Sequence, residues 1–367
     1  MSAGGRERLR RLVFWQPIVS PHQRDFLEAV AAAFDGEVVL AAERGLPAER
    51  IAMGWPPVVH RLVRVVDAAA PEAFEGLVRF DRRDTLHVFS GFFSHPVVWR
   101  AFRRLVPSAA RLAMLSEAPE QTVATGWLKR WRGRILVDRF APRLEFALVM
   151  GGVGRRFFEA VGFPARKIVT FGYYLPAAAD PDGGESGGAA GPVHFLAAGQ
   201  FIRRKGFDLL VDALAGLPDG DWRCTIRGAG PLRGRLERRA RRGAARGRVT
   251  LPEPAPNDVL LGELAGADWA VVPSRHDGWG MIVNESLGVG TPVVCTDGCG
   301  AADLLDDPAA GVVVPAGDAG ALGEALRRCL AGGKIGAGRR RAVRAVARRH
   351  GPSGAAATFL ELVGAGG

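Results

Sequence analysis

The chain alternates short apolar runs with stretches whose apolar residues fall three and four apart. In the first half the runs are Arg11 to Trp15, Glu37 to Ala41, Thr85 to Phe89, Arg111 to Leu115 and Phe146 to Met150. In the second half they are Val193 to Ala198, Trp222 to Arg227, Arg248 to Leu251, Trp269 to Pro273, Pro292 to Cys295 and Gly311 to Val314. Runs this apolar suit strands covered on both faces, and the intervening helical patterns supply the covers, so parallel sheets in an α/β protein are expected. Helices are predicted at Gln23 to Ala33, Phe207 to Leu217, Leu232 to Arg242, Ile282 to Val289, Ala321 to Leu330, Arg340 to Arg349 and Gly354 to Val363. The first places Phe26, Leu27, Val30 and Phe34 on one face, behind a Ser20-Pro21 start signal.

At 367 residues the chain is long enough for two domains. Residues 176–192 are rich in Gly, Ala, Asp and Pro and carry no apolar period, so they read as a flexible linker that permits domain motion. The expected organisation is an N-terminal Rossmann-like domain over 1–175, a second over 193–350, and a terminal helix in 351–367 that packs back towards the first.

The formal charge of +11 is spread as arginine through the chain, and its densest runs, Arg233 to Arg248 and Arg339 to Arg349, have helical spacing. Solvated helix faces account for them. An anionic membrane surface is the second reading, and nucleic acid is set aside because no motif for it accompanies the charge. Cys224, Cys295, Cys299 and Cys329 form no CxxC pair, which fits reduced buried thiols in a cytoplasmic protein. No apolar stretch approaches the roughly 20 residues that cross a bilayer, so membrane association is expected to be peripheral, at the inner face of the cytoplasmic membrane.

Three segments carry chemistry. In GQFIRRKGFDLL, residues 199–210, Gly199 permits close backbone approach, Arg203, Arg204 and Lys205 offer charge, and Gly206 precedes a helix. A diphosphate over this loop would be compensated by cations and helix-end N–H groups. In IRGAGPLRGRLE, residues 226–237, Gly228 and Gly230 make a second permissive turn at a strand end, where open α/β sheets bind ligands. The segment from Val271 to Leu305 is the most informative. Arg275, Asp277, Gly278, Gly280, Met281 and Ile282 surround a strand-to-helix loop, and Glu285 on the helix can accept two hydrogen bonds from a ribose diol. Asp303 follows a further Gly loop. As ordinary connections, Glu285 would be a helix-start residue and Asp277 a loop cap.

From Gly199 to Leu305, and less clearly over the whole chain, the sequence resembles the retaining GT-B glycosyltransferases of family 4, the glycosyl transferases group 1. The resemblance implies two Rossmann-like domains facing across a cleft, with the donor on the second and the acceptor on the first. The family's Gly-Arg-x-x-x-x-Lys-Gly diphosphate loop matches at Gly199, Lys205 and Gly206, while Gln200 stands in the arginine's place and Arg203 or Arg204 would substitute. The family's pair of glutamates maps to Asp277, shortened by one methylene, and Glu285, the ribose ligand. Its Gly-Gly-x-x-Glu loop falls on Cys299, Gly300 and Asp303. It implies retention at the anomeric carbon, no metal and no cofactor beyond a UDP- or GDP-sugar co-substrate, with Lys205, Arg204 and Asp277 as catalytic residues.

By the same resemblance, residues 14–23 form a strand-to-helix loop where Pro17, Ser20, His22 and Gln23 meet a saccharide or lipid-linked acceptor. The family's histidine falls on Phe89 or Ser90, with His87 pointing into the core, and Glu117 ends a strand where it could reach an acceptor hydroxyl. The expected activity is hexose transfer in the synthesis of cell-surface polysaccharide or glycoconjugate. A non-catalytic relative that binds nucleotide-sugar is the alternative, on the strength of Gln200, Asp277 and the missing histidine. A dinucleotide-dependent dehydrogenase is disfavoured, since FWQPIV and not GxGxxG follows the first strand.

Overall fold

The computed structural model describes residues 8–45, 57–91, 95–120, 126–178 and 191–365. It divides into two compact units, one of residues 1–150, 154–174 and 352–367, the other of residues 151–153 and 175–351. Of the expected linker, residues 179–190 lie outside the described residues.

The first unit comprises β1 (Arg11–Ile18), α1 (Pro21–Ala33), β2 (Glu37–Arg44), β3 (Arg64–Asp67), α2 (Pro71–Val78), β4 (Thr85–Ser90), α3 (Pro96–Leu105), β5 (Arg111–Ser116), α4 (Gly126–Phe140), β6 (Ala147–Met150), α5 (Gly151–Ala160), whose residues 151–153 fall in the second unit, and β7 (Ile168–Phe171). The strands form one parallel sheet in the order β3-β2-β1-β4-β5-β6-β7. Phe26, Leu27 and Val30 of α1 are buried, as the periodicity predicts. His87 is fully buried on β4. It accepts from the Trp15 indole N–H at 3.0 Å on Nδ1, and its Nε2 meets the Phe80 carbonyl at 2.8 Å. Burial lowers its pKa to about 4, so it is a neutral core imidazole.

The strand-to-helix loop expected over residues 14–23 is much shorter. Strand β1 continues to Ile18, and Pro21, His22 and Gln23 already belong to α1. The extension is possible because beyond Trp15 the strand pairs with β2 alone, up to Ile18 beside Arg44, and Pro17 lacks only an N–H that the open side does not require. Strands β3 and β7 escape the sequence reading because they are short sheet edges, and β3 (RVVD) is largely solvent-facing.

The second unit runs β8 (Val193–Ala198), α6 (Phe207–Ala215), β9 (Trp222–Arg227), α7 (Arg233–Ala240), β10 (Val249–Thr250), α8 (Asn257–Gly266), β11 (Trp269–Val272), α9 (Met281–Gly288), β12 (Val293–Thr296), β13 (Gly311–Val314), α10 (Ala319–Ala331) and α11 (Ala337–Arg349). Its parallel sheet has the order β10-β9-β8-β11-β12-β13. Phe195, Phe201, Leu210, Leu214, Ile226 and Leu236 are fully buried in its core. Each contributes about 1.5–3 kcal/mol by burial.

Helix α12 (Pro352–Val363) follows the second unit in sequence but belongs to the first. It packs along α1, where the Phe359 ring lies 5.7 Å from those of both Phe14 and Phe26, and Arg111 donates to the Val363 carbonyl at 3.1 Å.

Candidate functional site

In the second sheet the chain moves outward from β8 through β9 to β10, then returns to place β11 on the other side of β8. The carboxyl ends of β8 and β11 therefore flank a topological switch point, where open α/β sheets leave a crevice for ligands. The segments 199–206 and 273–280 leave the sheet there.

These segments are bound to each other. The N–H groups of Arg275 and His276 donate to the Arg204 carbonyl at 2.8 and 3.3 Å. The Lys205 ammonium lies 2.5 Å from one oxygen of Asp277, and the Arg204 guanidinium lies 3.6 Å from the other. The three residues named as catalytic from the sequence thus form one cluster. Arg203, Arg204 and Lys205 occupy a single 3-10 turn, closed by Gly206 with φ of 70°. A side chain at Gly206 would run into the Pro273 carbonyl oxygen, so glycine lets the two loops touch.

Arg275 reaches the same place with a different task. Its guanidinium grips Asp208 of α6 through two nitrogens at 2.6 and 2.9 Å and donates to the Arg203 carbonyl at 2.9 Å. This fork ties the β11 loop to the start of α6 and holds the Asp208 carboxyl below its usual range against the opposing effect of burial. Asp208 had no signal in the sequence beyond its place in the first turn of a helix.

Gly199, Gly228 and Gly230 also come together. Gly199 N–H donates to the Arg227 carbonyl at 3.0 Å, and Phe201 N–H to that of Ala229 at 2.7 Å, so the β8 and β9 loops run side by side.

The segment Asp277 to Gly280 is buried and bridged to the loop after β12. Asp277 N–H donates to the Gly298 carbonyl at 2.8 Å, Gly300 N–H to that of Asp277 at 3.1 Å, and Ala301 N–H to that of Trp279 at 2.8 Å. Gly280 has φ of 100° and sits against Cys299 Sγ, a place with no room for a Cβ. Trp279, which the sequence reading passed over, is buried and donates through its indole N–H to Asn284 at 2.6 Å, fixing the entry to α9. Helix α9 starts with Met281 and Ile282, whose N–H groups precede the first helical acceptor and face outward from its positive end.

Glu285 lies one turn beyond Met281, on the same side of α9. Its carboxyl has no hydrogen-bond partner among the described residues, and burial pushes its pKa up to about 7. Asp303 has a backbone contact instead, accepting from Gly152 N–H at 2.8 Å. Among the described residues no group of three His, Cys, Asp or Glu is placed to hold a metal.

Three candidates of the first unit, His22, Gln23 and Glu117, gather about Tyr173, a residue the sequence did not single out. Tyr173 donates to Glu117 at 2.8 Å, and its ring lies 6.1 Å from that of His22. Gln23 is buried and bonded to Gln16, and a further hydrogen bond links it to Tyr173. Phe89 is fully buried and stacked on Trp15.

Two parallel Rossmann-like units, the second with polar loops joined at its switch point, make this a protein of the GT-B fold. Within that fold it is related to the glycosyl transferases group 1, whose family model matches residues 192–332. An alpha-D-kanosaminyltransferase of Streptomyces kanamyceticus is 31% identical over 142 residues, which are 37% of this chain and 36% of that protein. A GDP-mannose-dependent alpha-(1-6)-phosphatidylinositol dimannoside mannosyltransferase of Mycobacterium tuberculosis is 39% identical over 103 residues, 26% of this chain and 25% of its own. The match thus spans well under half the length of these curated relatives. Among solved structures, HepE of Anabaena in complex with UDP aligns over 97% of this chain and 100% of its own, with a TM-score of 0.70 at 15% identity.

Proposed function

We propose that the protein is a retaining glycosyltransferase that moves a hexose-type sugar from a UDP- or GDP-sugar to a saccharide or lipid-linked acceptor. The observation that carries this reading is the joint at the switch point. Cations from the β8 loop are paired with Asp277 in the loop that leads into α9, whose start offers N–H groups and whose Glu285 is uncommitted, all within one unit. Arg204, Lys205 and the α9 N–H groups offer a diphosphate its counter-charge, and Glu285 offers the ribose diol its acceptor. Lys205 has three donor hydrogens, so it can keep Asp277 and still meet a phosphate oxygen.

In the reaction the bond between the anomeric carbon and the phosphate oxygen breaks, the acceptor oxygen joins that carbon on the same face, and the acceptor's proton passes to the departing phosphate. The protein positions both partners and stabilises charge on the leaving oxygen, so neither a metal nor a dedicated base is required. The first unit receives the acceptor, with His22, Gln23, Glu117 and Tyr173 as its polar groups. A lipid-bearing acceptor, cytoplasmic location and peripheral attachment to an anionic membrane complete the reading. The mycobacterial relative, named for a phosphatidylinositol dimannoside and GDP-mannose, supports the lipid and the donor class.

Saturation-transfer NMR against a panel of UDP- and GDP-sugars tests the donor site, with Lys205→Ala and Glu285→Ala in parallel. Binding of one donor that weakens in both variants supports it, and a folded protein that binds none refutes it. The buried Phe89 in the place of the family's histidine favours one competitor, a binding-only relative. Donor binding with neither donor hydrolysis nor transfer would decide for that competitor.

A further inference from the structure

Helix α4 is apolar on two opposite sides. At about 100° per residue, Gly126, Gly133, Val137 and Phe140 fall on one side. That side faces the core: Val137 is buried, and the Phe140 ring meets those of Trp99 and Phe102 at 5.6 and 5.2 Å. The same side walls an apolar cavity of about 270 Å³. The other side carries Trp127, Leu128, Trp131 and Ile135 in a single stripe, and these are 65%, 39%, 58% and 47% exposed. A helix on the surface of a soluble domain ordinarily turns a polar face outward.

Cations border the stripe on both edges, Arg130 and Arg134 on one and Arg132 and Arg139 on the other; all four are exposed, and Arg132 also lines the cavity. Arg130, Arg132 and Arg134 have no ion pair among the described residues. The sole acid of the helix, Asp138, falls on the same side as the stripe and closes it at the C-terminal end beyond Ile135. Among the described residues, the arginine-rich helices that the sequence offered as a membrane surface carry no exposed large apolar side chain beside their charge, and several of their arginines are tied to the protein. In α7 and α11, Arg239 pairs with Asp212, Arg233 with Glu253 and Arg349 with Asp307, while Arg340 donates to the carbonyls of Ala265 and Ala267.

We propose that α4 is a bilayer-docking element, which rests on and deepens the peripheral-membrane reading above. Trp127, Leu128, Trp131 and Ile135 enter the boundary between headgroups and acyl chains, and the flanking arginines pair with anionic lipid phosphates. Tryptophan suits this depth because its ring is apolar and its N–H stays among polar headgroups. A second copy of the chain fits less well, since a two-fold contact would set arginine edges against arginine edges.

Cosedimentation with phosphatidylcholine vesicles, with and without roughly a third of phosphatidylglycerol, tests the assignment. The full chain is expected to bind the anionic vesicles and to release them as salt is raised. Trp127→Ser with Trp131→Ser should weaken binding at least tenfold, and Arg130→Glu with Arg134→Glu similarly. Both double variants should keep the melting temperature and the donor binding of the parent. Arg235→Glu with Arg238→Glu, on exposed positions of α7, should bind vesicles as the parent does. Unchanged binding in the α4 variants overturns the proposal, and loss in the α7 variant alone moves the membrane contact to the second unit. No vesicle binding by a parent that still binds donor overturns it while leaving the donor site standing. Self-association abolished by the Trp127 and Trp131 changes assigns the stripe to a second copy and overturns it too.

Discussion

Glu285 is costly to ionise in the folded chain. Its pKa of about 7 lies above the ordinary 4.5, so the folded state loses stability as pH rises from about 4.5 to about 7, and the loss is complete above that. Glu285→Gln should therefore raise the unfolding free energy by about 1–3 kcal/mol at pH 8 and by nothing at pH 4, as urea titrations at the two values would record. The same variant should lose donor affinity, the usual exchange at a binding site of stability for function. Lys205→Ala removes a charged donor from the proposed diphosphate grip, worth about 1.5–3 kcal/mol. Calorimetry should read a roughly tenfold to hundredfold weaker donor. Glu285 was legible as a carboxylate on a helix after a glycine loop. The contact of Lys205 with Asp277 was not, because they stand 72 residues apart and meet only through the adjacency of β8 and β11.

Among elements, the loops of the second unit are specified by local chemistry that sequence displays well. Strands β8, β9 and β13 coincide with their apolar runs, and glycines mark the turns after them. Gly280→Ala should strike α9 directly, since its Cβ would displace Cys299 Sγ at a backbone angle that alanine avoids. A loss of more than about 1 kcal/mol in chemical denaturation is expected, together with weakened donor binding. The elements that sequence conceals are those without one clear face. Strand β3 is an exposed edge, and α4 is apolar on both sides, so neither presents the single stripe that a periodicity search detects. Pro17 misleads in the other direction, reading as a loop while it continues β1 along β2.

On the scale of the whole molecule, α12 was read from the sequence as a terminal helix packing back towards the first domain, and the rings that seat it are supplied by tertiary packing. Phe359 is 1% exposed among Phe14, Phe26 and Phe146. Phe359→Ala should cost the first unit about 3–5 kcal/mol, and a two-step denaturation curve should show only the transition of that unit moving. Because α12 follows the second unit in the sequence yet belongs to the unit made before it, vectorial synthesis leaves that unit unfinished while the second unit is translated. Throughout that interval the rings of Phe14, Phe26 and Phe146 are expected to lack their cover on the nascent chain, an apolar surface of the kind chaperones hold until the closing segment leaves the ribosome.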